Sequence, residues 1–298
     1  MTKQSNSKIH SGASRLPDWF KVRAPGGENF IQIQNLMRRS ELHTVCEEAR
    51  CPNIGECWEQ RSATFMVLGD ICTRACRYCA VTSGKPKGLD LDEPDRLARS
   101  VETLGLEYCV ITSVNRDDLP DGGAFVFAQC VTKIRERLPE CRVEVLIPDF
   151  NDLGIRGMVH TRPDVLNHNI ETVQRIFPEV RPKGDYGYSL RLLRRVKELS
   201  ADMVTKSGMM VGLGEEWGEI LETMSDLRSV ECDLLTIGQY LRPSAKHAPI
   251  DRFYTPTEFA ELRDEGLRMG FKHVAAGPLV RSSYHASEQQ IAASHARL

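Results

Sequence analysis

The sequence predicts an α/β chain, a partial (β/α)6 barrel of the TIM-like kind with an extension at each end, and three observations carry that expectation. Short apolar, β-prone runs alternate with amphipathic helical stretches between residues 64 and 276, the pattern of a parallel sheet covered by helices. These units number about six, whereas a full eight-stranded barrel occupies roughly 250 residues. The densest cysteine run begins just past the first apolar run, Thr64 to Leu68. Loops leaving strand ends are where parallel-sheet proteins place their chemistry.

In chain order, residues 1–15 are polar and expected to be a disordered tail. The stretch from Leu16 to Phe30 is interrupted by Pro17, Pro25 and the Gly26-Gly27 pair, and a short helix follows over Ile31–Ser40. Residues 16–62 are read as an N-terminal extension, 63–277 as the barrel and 278–298 as a C-terminal extension. After the strand Thr64–Leu68, the periodicity predicts helix Glu93–Leu104, strand Tyr108–Ser113, helix Ala124–Leu138 and strand Arg142–Ile147. A short helix near Ile155–His160 leads to strand Val165–Asn169. Helix Tyr188–Leu199 follows, with Leu190, Leu193, Val196 and Leu199 at helical spacing. Strand Thr205–Val211, helix Ile220–Val230 and strand Leu234–Tyr240 come next. A last helix, Thr257–Met269, opens on Pro256 with a threonine cap, and Lys272–Ala276 reads as one more strand.

Composition narrows the class. Hydrophobic residues make up 41% and charged residues 27% of the 298, as in soluble globular proteins. A net charge of −2 gives no global field for nucleic acid or a membrane surface. No apolar run approaches the ~20 residues a bilayer crossing needs. The polar N-terminus has no apolar h-region of a secretory signal, so a cytoplasmic location is expected. Six of the ten cysteines crowd into residues 46–79, which in a reducing compartment argues for metal. Cys109, Cys130, Cys141 and Cys232 stand singly in apolar stretches and read as small buried hydrophobes.

The central motif is Cys72-Thr73-Arg74-Ala75-Cys76-Arg77-Tyr78-Cys79. Structural zinc sites pair C-x-x-C knuckles into four ligands; this loop offers three, so a zinc site would need a distant fourth. A 4Fe–4S cluster held by three cysteines keeps one iron without a protein ligand, able to bind a small molecule. The pattern resembles the radical S-adenosylmethionine (SAM) enzymes. That resemblance implies that the open iron chelates SAM, that the reduced cluster cleaves it to a 5′-deoxyadenosyl radical, and that Tyr78 lies against the adenine.

A second triplet, Cys46, Cys51 and Cys57, precedes the first by fifteen residues. Its spacings of five and six match no zinc knuckle, Pro52 and Gly55 make the segment read as a turning loop, and a disulfide leaves one thiol over. The triplet, followed at this separation by the second motif, resembles the lipoyl synthase family. The stretch Arg281-Ser282-Ser283-Tyr284-His285-Ala286 is also similar to that family's terminal motif, and the resemblance extends from about Trp19 to Ala286. It implies a second, auxiliary 4Fe–4S cluster held by Cys46, Cys51 and Cys57, with the Ser283 oxygen on its fourth iron. An oxygen among thiolates is a hard ligand on a soft site.

Polar residues at the barrel's strand ends are site candidates. They are Thr112, Ser113 and Asn115 with Arg116-Asp117-Asp118; Asn167, His168, Asn169 and Glu171; Gly212-Leu213-Gly214-Glu215; and Gln239-Tyr240-Leu241-Arg242-Pro243. By resemblance, SAM's methionyl part sits near Thr112, Ser113 and Asn115, and its ribose near Asn169 and Glu171. Gly212-Leu213-Gly214 lacks the third glycine of a dinucleotide fingerprint. His160, His168 and His247 have no second ligand at usable spacing and read as polar or capping side chains. The basic face of Arg191, Arg194, Arg195 and Lys197 reads as solvated surface.

The resemblance implies insertion of two sulfur atoms at carbons 6 and 8 of a protein-bound octanoyl chain, with the auxiliary cluster as sulfur donor. The implied cofactors are two 4Fe–4S clusters and SAM. The implied partners are an octanoylated lipoyl carrier domain, an electron donor and iron–sulfur assembly proteins, with Lys21, Arg23, Arg38 and Arg39 as possible carrier contacts. A biotin-synthase-like sulfur inserter lacks this pairing of terminal motifs. A non-enzymatic iron–sulfur carrier has no use for an open iron.

Overall fold

The computed structural model describes residues 16–295, so the tail expected over residues 1–15 lies outside the described residues. The N-terminal segment forms α1 (Glu28–Arg39), β1 (His43–Thr44), α2 (Val45–Glu48) and α3 (Ile54–Glu59). Residues 45–59 are thus two short helices rather than the expected loop. Thr44 caps α2 by accepting a hydrogen bond from the Glu47 N–H at 3.3 Å. Trp58 fixes α3 by burying its whole side chain against Phe30, ring centroids 5.0 Å apart. Gly55 serves packing rather than turning: a Cβ there would lie 2.6 Å from the Arg23 carbonyl oxygen and 2.9 Å from the Pro25 nitrogen. The chain entering at 23–25 can lie against α3 only because that side chain is missing.

The remainder alternates as the periodicity requires: β2 (Thr64–Val67), α4 (Glu93–Leu104), β5 (Tyr108–Ser113), α5 (Ala124–Arg137), β6 (Arg142–Leu146), α6 (Asp152–His160) and β7 (Val165–Asn167). Then come α8 (Tyr186–Leu199), β8 (Thr205–Val211), α9 (Trp217–Ser229), β9 (Leu234–Gln239), α10 (Pro256–Arg268) and β10 (His273–Gly277). Four elements escape the periodicity: the paired strands β3 (Ile71–Cys72) and β4 (Thr82–Ser83), the single turn α7 (Phe177–Val180), and α11 (Ala286–His295). Helices α6 and α8 begin earlier than their apolar stripes because polar caps precede them. Asn151 accepts from the Gly154 N–H at 3.1 Å, and Asp185 from the Tyr188 N–H. At α10, Thr255 and Glu258 form a reciprocal capping box.

The large sheet runs β1-β2-β5-β6-β7-β8-β9-β10. Every pairing is parallel except β1–β2, and β10 adds a seventh parallel strand to the expected six. The two end strands do not pair with each other, so the barrel is open. In register, Thr112 faces Leu146, Leu146 faces Asn167, and Val211 faces Gln239. This aligns the carboxyl ends of the strands along one rim. Lower in the barrel, Lys206 Nζ lies 3.0 Å from Glu144 Oε1, and both side chains are wholly buried. Tyr108 Oη–H and Asn167 Nδ2–H also donate to that carboxylate, at 2.8 and 3.0 Å. Among the described residues, no helix is long and apolar enough to cross a membrane.

Candidate active site

The loop after β3 is held by the residues between its cysteines. The Thr73 N–H donates to the Asn115 carbonyl at 3.0 Å and the Thr73 hydroxyl to Asp117 at 2.7 Å. The Arg74 guanidinium pairs with Asp117 at 2.7 Å and also with Asp149. The Arg77 N–H donates to the Val180 carbonyl at 2.7 Å, and the Arg77 carbonyl accepts from Ala248 at 2.8 Å. His247 Nε2 donates to the Cys79 carbonyl at 2.9 Å, a loop-fixing role for a histidine that the spacing argument left unassigned. Asp117, like Arg116 and Asp118, therefore serves ion pairs and not the cavity wall.

Cys72 Sγ accepts backbone N–H groups from Arg74 at 3.4 Å and Asn115 at 3.3 Å. Burial pushes the Cys79 thiol up to about 12, with Cys76 and Cys72 adding to the rise. Burial also raises Cys76.

The other triplet is spread over α2 (Cys46), the connector (Cys51) and α3 (Cys57). Burial pushes Cys46 up to about 11 and Cys57 to about 12, and neighbouring thiols add to both. The C-terminal segment is fixed by three bonds, two to the segment that carries this triplet and one to the barrel rim. Asn53 Nδ2–H donates to the Leu279 carbonyl at 2.7 Å, Tyr284 Oη–H to Glu56 at 3.1 Å, and Ser282 Oγ–H to Asn169 at 2.9 Å.

A cavity of about 530 Å³ joins these parts. Its wall includes Cys46, Cys51, Cys57 and Ser283 together with Cys72, Cys76, Tyr78 and Cys79. Thr112, Ser113 and Asn115, and beyond them Asn169 and Glu171, complete the rim. Glu171 is held at φ +69°, a conformation uncommon outside glycine. Its N–H donates to the Gly208 carbonyl and its carbonyl accepts from Met210, at 3.0 and 2.8 Å. Burial raises its carboxyl, against the pull of Arg181.

Some expected rim residues are elsewhere. Asn167 is spent on Glu144 below. The Gly212–Glu215 turn closes on itself, with Glu215 accepting from the Gly212 and Leu213 N–H groups at 2.6 and 2.9 Å. Lys197 is no solvated cation either: its ammonium is 2.6 Å from Asp233, and both side chains are nearly buried. The four single cysteines are buried, as expected.

Arg181 is the residue the sequence did not disclose. It lines the cavity, its Nη2 bonds Asp149 at 2.7 Å, and its buried Nη1 has no partner. Beside it, His168 donates Nδ1–H to the Ile147 carbonyl at 3.0 Å. Burial lowers its pKa to about 4, so the ring is neutral at pH 7 and no docking cation. Burial works to raise the Asp149 carboxyl, but His168, Arg181 and Arg74 outweigh it and hold it below the usual range.

The donor set fits iron–sulfur clusters. Among the described residues no three His, Cys, Asp or Glu side chains gather around one point as a single ion requires. The Trp58 Nε1–H, buried beside Cys46, favours ionisation of that thiol, as a donor beside a sulfur-rich group would. The unpartnered Arg181 Nη1 suits a carboxylate.

Comparison with known proteins agrees with this geometry. Residues 66–227 match the radical SAM superfamily, and residues 2–51 match the N-terminal domain of lipoyl synthase. Lipoyl synthase of Rubrobacter xylanophilus is 58% identical over 280 residues, covering 93% of this chain and 87% of the relative. The chain belongs to the lipoyl synthase family. Lipoyl synthase of Chloroflexus aurantiacus is 56% identical, covering 94% of this chain and 92% of its own. Among solved structures, the FeFe-hydrogenase maturase from Carboxydothermus hydrogenoformans superposes with a TM-score of 0.59 at 15% identity, over 77% of this chain and 56% of the maturase. Methylornithine synthase gives 0.55 at 13% identity, over 70% and 62%. These two likenesses speak to the fold alone. As a lipoyl synthase family member the chain is a radical SAM sulfurtransferase, and the superfamily implies one 4Fe–4S cluster and SAM.

Proposed function

We propose that the two cysteine triplets hold separate 4Fe–4S clusters on facing walls of one cavity. An octanoyl chain, amide-linked to a lysine of a lipoyl carrier domain, receives sulfur at carbons 6 and 8 between them. The single observation that carries this reading is the shared cavity: Cys46, Cys51, Cys57 and Ser283 line the same space as Cys72, Cys76 and Cys79. When bound, the cluster at Cys72, Cys76 and Cys79 and SAM supply a radical able to break an unactivated C–H bond, and the auxiliary cluster supplies sulfide.

The chain's own residues orient and shield. Tyr78 and the rim from Thr112 to Asn115 border the space beside the first triplet, and Asn169 and Glu171 offer acceptors for ribose hydroxyls. Arg181, its guanidinium fixed by Asp149, presents the free Nη1 to SAM's carboxylate. Met209, Met210 and Leu146 give the wall an apolar stretch suited to an aliphatic chain and to excluding water. An electron donor and iron–sulfur assembly proteins serve the two clusters, in the cytoplasm.

The test is iron and acid-labile sulfide per chain after anaerobic reconstitution, beside a Cys46→Ala/Cys51→Ala/Cys57→Ala variant. Two cubanes give about eight irons, falling to about four in the variant. About four in both proteins overturns the two-cluster reading. The reconstituted parent should add two sulfur atoms to an octanoyl-lysine peptide by mass, and the variant none while still cleaving SAM.

A further inference from the structure

The residues flanking the two ligand positions are not explained by ligation. Glu56 precedes Cys57, and Tyr284 and His285 follow Ser283, yet all three converge. Tyr284 Oη–H donates to Glu56 Oε1 at 3.1 Å, and His285 Nε2 lies 3.5 Å from the same oxygen. On its other side the His285 ring bonds Glu288 through Nδ1 at 2.7 Å. The Tyr284 and His285 rings meet edge to face at 4.2 Å. His285 sits at φ +51°, a left-handed conformation that a non-glycine residue keeps only where its surroundings over-determine it.

Glu56 is a rigid point of attachment. It lies on α3, which Trp58 pins into the core with no exposed surface. One turn away on the same segment, Asn53 holds the Leu279 carbonyl. The C-terminal segment of residues 279–285 is thus tied to the α3 region on both sides of Ser283, before it by Asn53 and after it by Glu56. Those two ties, together with the Ser282–Asn169 bond to the barrel, set where the Ser283 hydroxyl stands relative to Cys57.

We propose that Glu56 is a positioning residue: through Tyr284 and His285 it holds the Ser283 hydroxyl against the N-terminal thiols, and so retains the fourth iron of the auxiliary cluster. This rests on the reading of Ser283 as that iron's ligand. Glu56 itself touches no reacting group. Its removal should free one iron and leave the three thiolate-held irons in place, which loss of general support for α3 would not do.

The test uses the full chain with Cys72, Cys76 and Cys79 replaced by alanine, so that only the auxiliary site takes iron. After reconstitution to about four irons, mild oxidation is followed by iron analysis and by the electron paramagnetic resonance signal of a three-iron cluster. Glu56→Ala should lose one iron about tenfold faster than the parent, the size expected for losing hydrogen bonds to a charged group. Tyr284→Phe, which deletes a single hydroxyl, should also lose it faster. Glu56→Gln keeps an acceptor for Tyr284 and should behave as the parent. Loss at the parental rate in Glu56→Ala and Tyr284→Phe overturns the proposal, and so does simultaneous loss of all four irons. Ser283→Ala keeps the two ideas apart. If it too holds its fourth iron at the parental rate, the serine is no ligand and the underlying reading falls. If Ser283→Ala loses iron quickly while Glu56→Ala does not, only the role of Glu56 falls.

Discussion

His168 shows how one side chain records the electrostatics of the cavity wall. It is buried, faces Asp149 at 3.5 Å, and shares that carboxylate with Arg181 and Arg74. Burial outweighs the attraction of Asp149, and the two guanidiniums oppose protonation further, so its pKa falls from 6.5 to about 4. The sign follows: the unfolded chain takes up a proton near pH 6.5 and the folded one does not. Stability is therefore unaffected above pH 6.5 and is lost as pH drops from there towards 4, by an amount on the order of 3 kcal/mol in full. Asn at this position can still donate to the Ile147 carbonyl and does not titrate. Urea denaturation of the iron-free chain should show the parent losing stability relative to His168→Asn between pH 7 and 5. Parallel pH curves for the two proteins would refute the assignment of that proton to His168.

At the scale of elements, the site depends on how closely the C-terminal segment crosses β9. A Cβ on Gly238 would overlap the Val280 carbonyl oxygen, a backbone atom that no rotamer change can move aside. Gly238→Ala should therefore lift residues 279–285 off the rim and take Ser283 with them. The expected outcome is an auxiliary site that binds less than half the parental iron, while the site at Cys72, Cys76 and Cys79 reconstitutes fully. Full iron at both sites would show that the crossing tolerates displacement.

The same scale explains what was legible beforehand. Strands such as Tyr108–Ser113 follow from short β-prone runs and helices such as Glu93–Leu104 from a period-3.6 pattern, and cysteine spacing singled out both triplets. Helices α2 and α3 were not legible, because α2 is set by the Thr44 cap and α3 by Trp58 packing rather than by a repeating stripe. Arg181 was invisible for a related reason. Its place is set by α7, a single turn, and by an ion pair to Asp149, 32 residues away in sequence. Gly55 read as a turn residue, whereas its cause is close approach of the chain at 23–25.

Across the whole molecule the barrel divides its labour along its axis. The carboxyl rim carries thiols, strained Glu171 and the unbonded Nη1 of Arg181, whereas the lower layer carries a polar network of Glu144, Lys206, Asn167 and Tyr108. Such a network costs desolvation, offset by the hydrogen bonds that converge on the Glu144 carboxylate. Breaking it from one side should therefore be severe. Glu144→Leu leaves the Lys206 ammonium buried without its carboxylate, for a loss of roughly 3–5 kcal/mol, whereas Glu144→Leu with Lys206→Met removes both charges and should lose less than the single variant. Because the layer lies below the cavity wall, the double variant, once folded, should reconstitute with parental iron and bind SAM with parental affinity. Urea denaturation supplies the first comparison, iron analysis and calorimetric SAM titration the second. If the double variant were no more stable than Glu144→Leu, unpaired charge would not be the cause of the loss. If it folded yet failed to bind SAM, the lower layer would belong to the site, and the division between a supporting floor and a reactive rim would have to be abandoned.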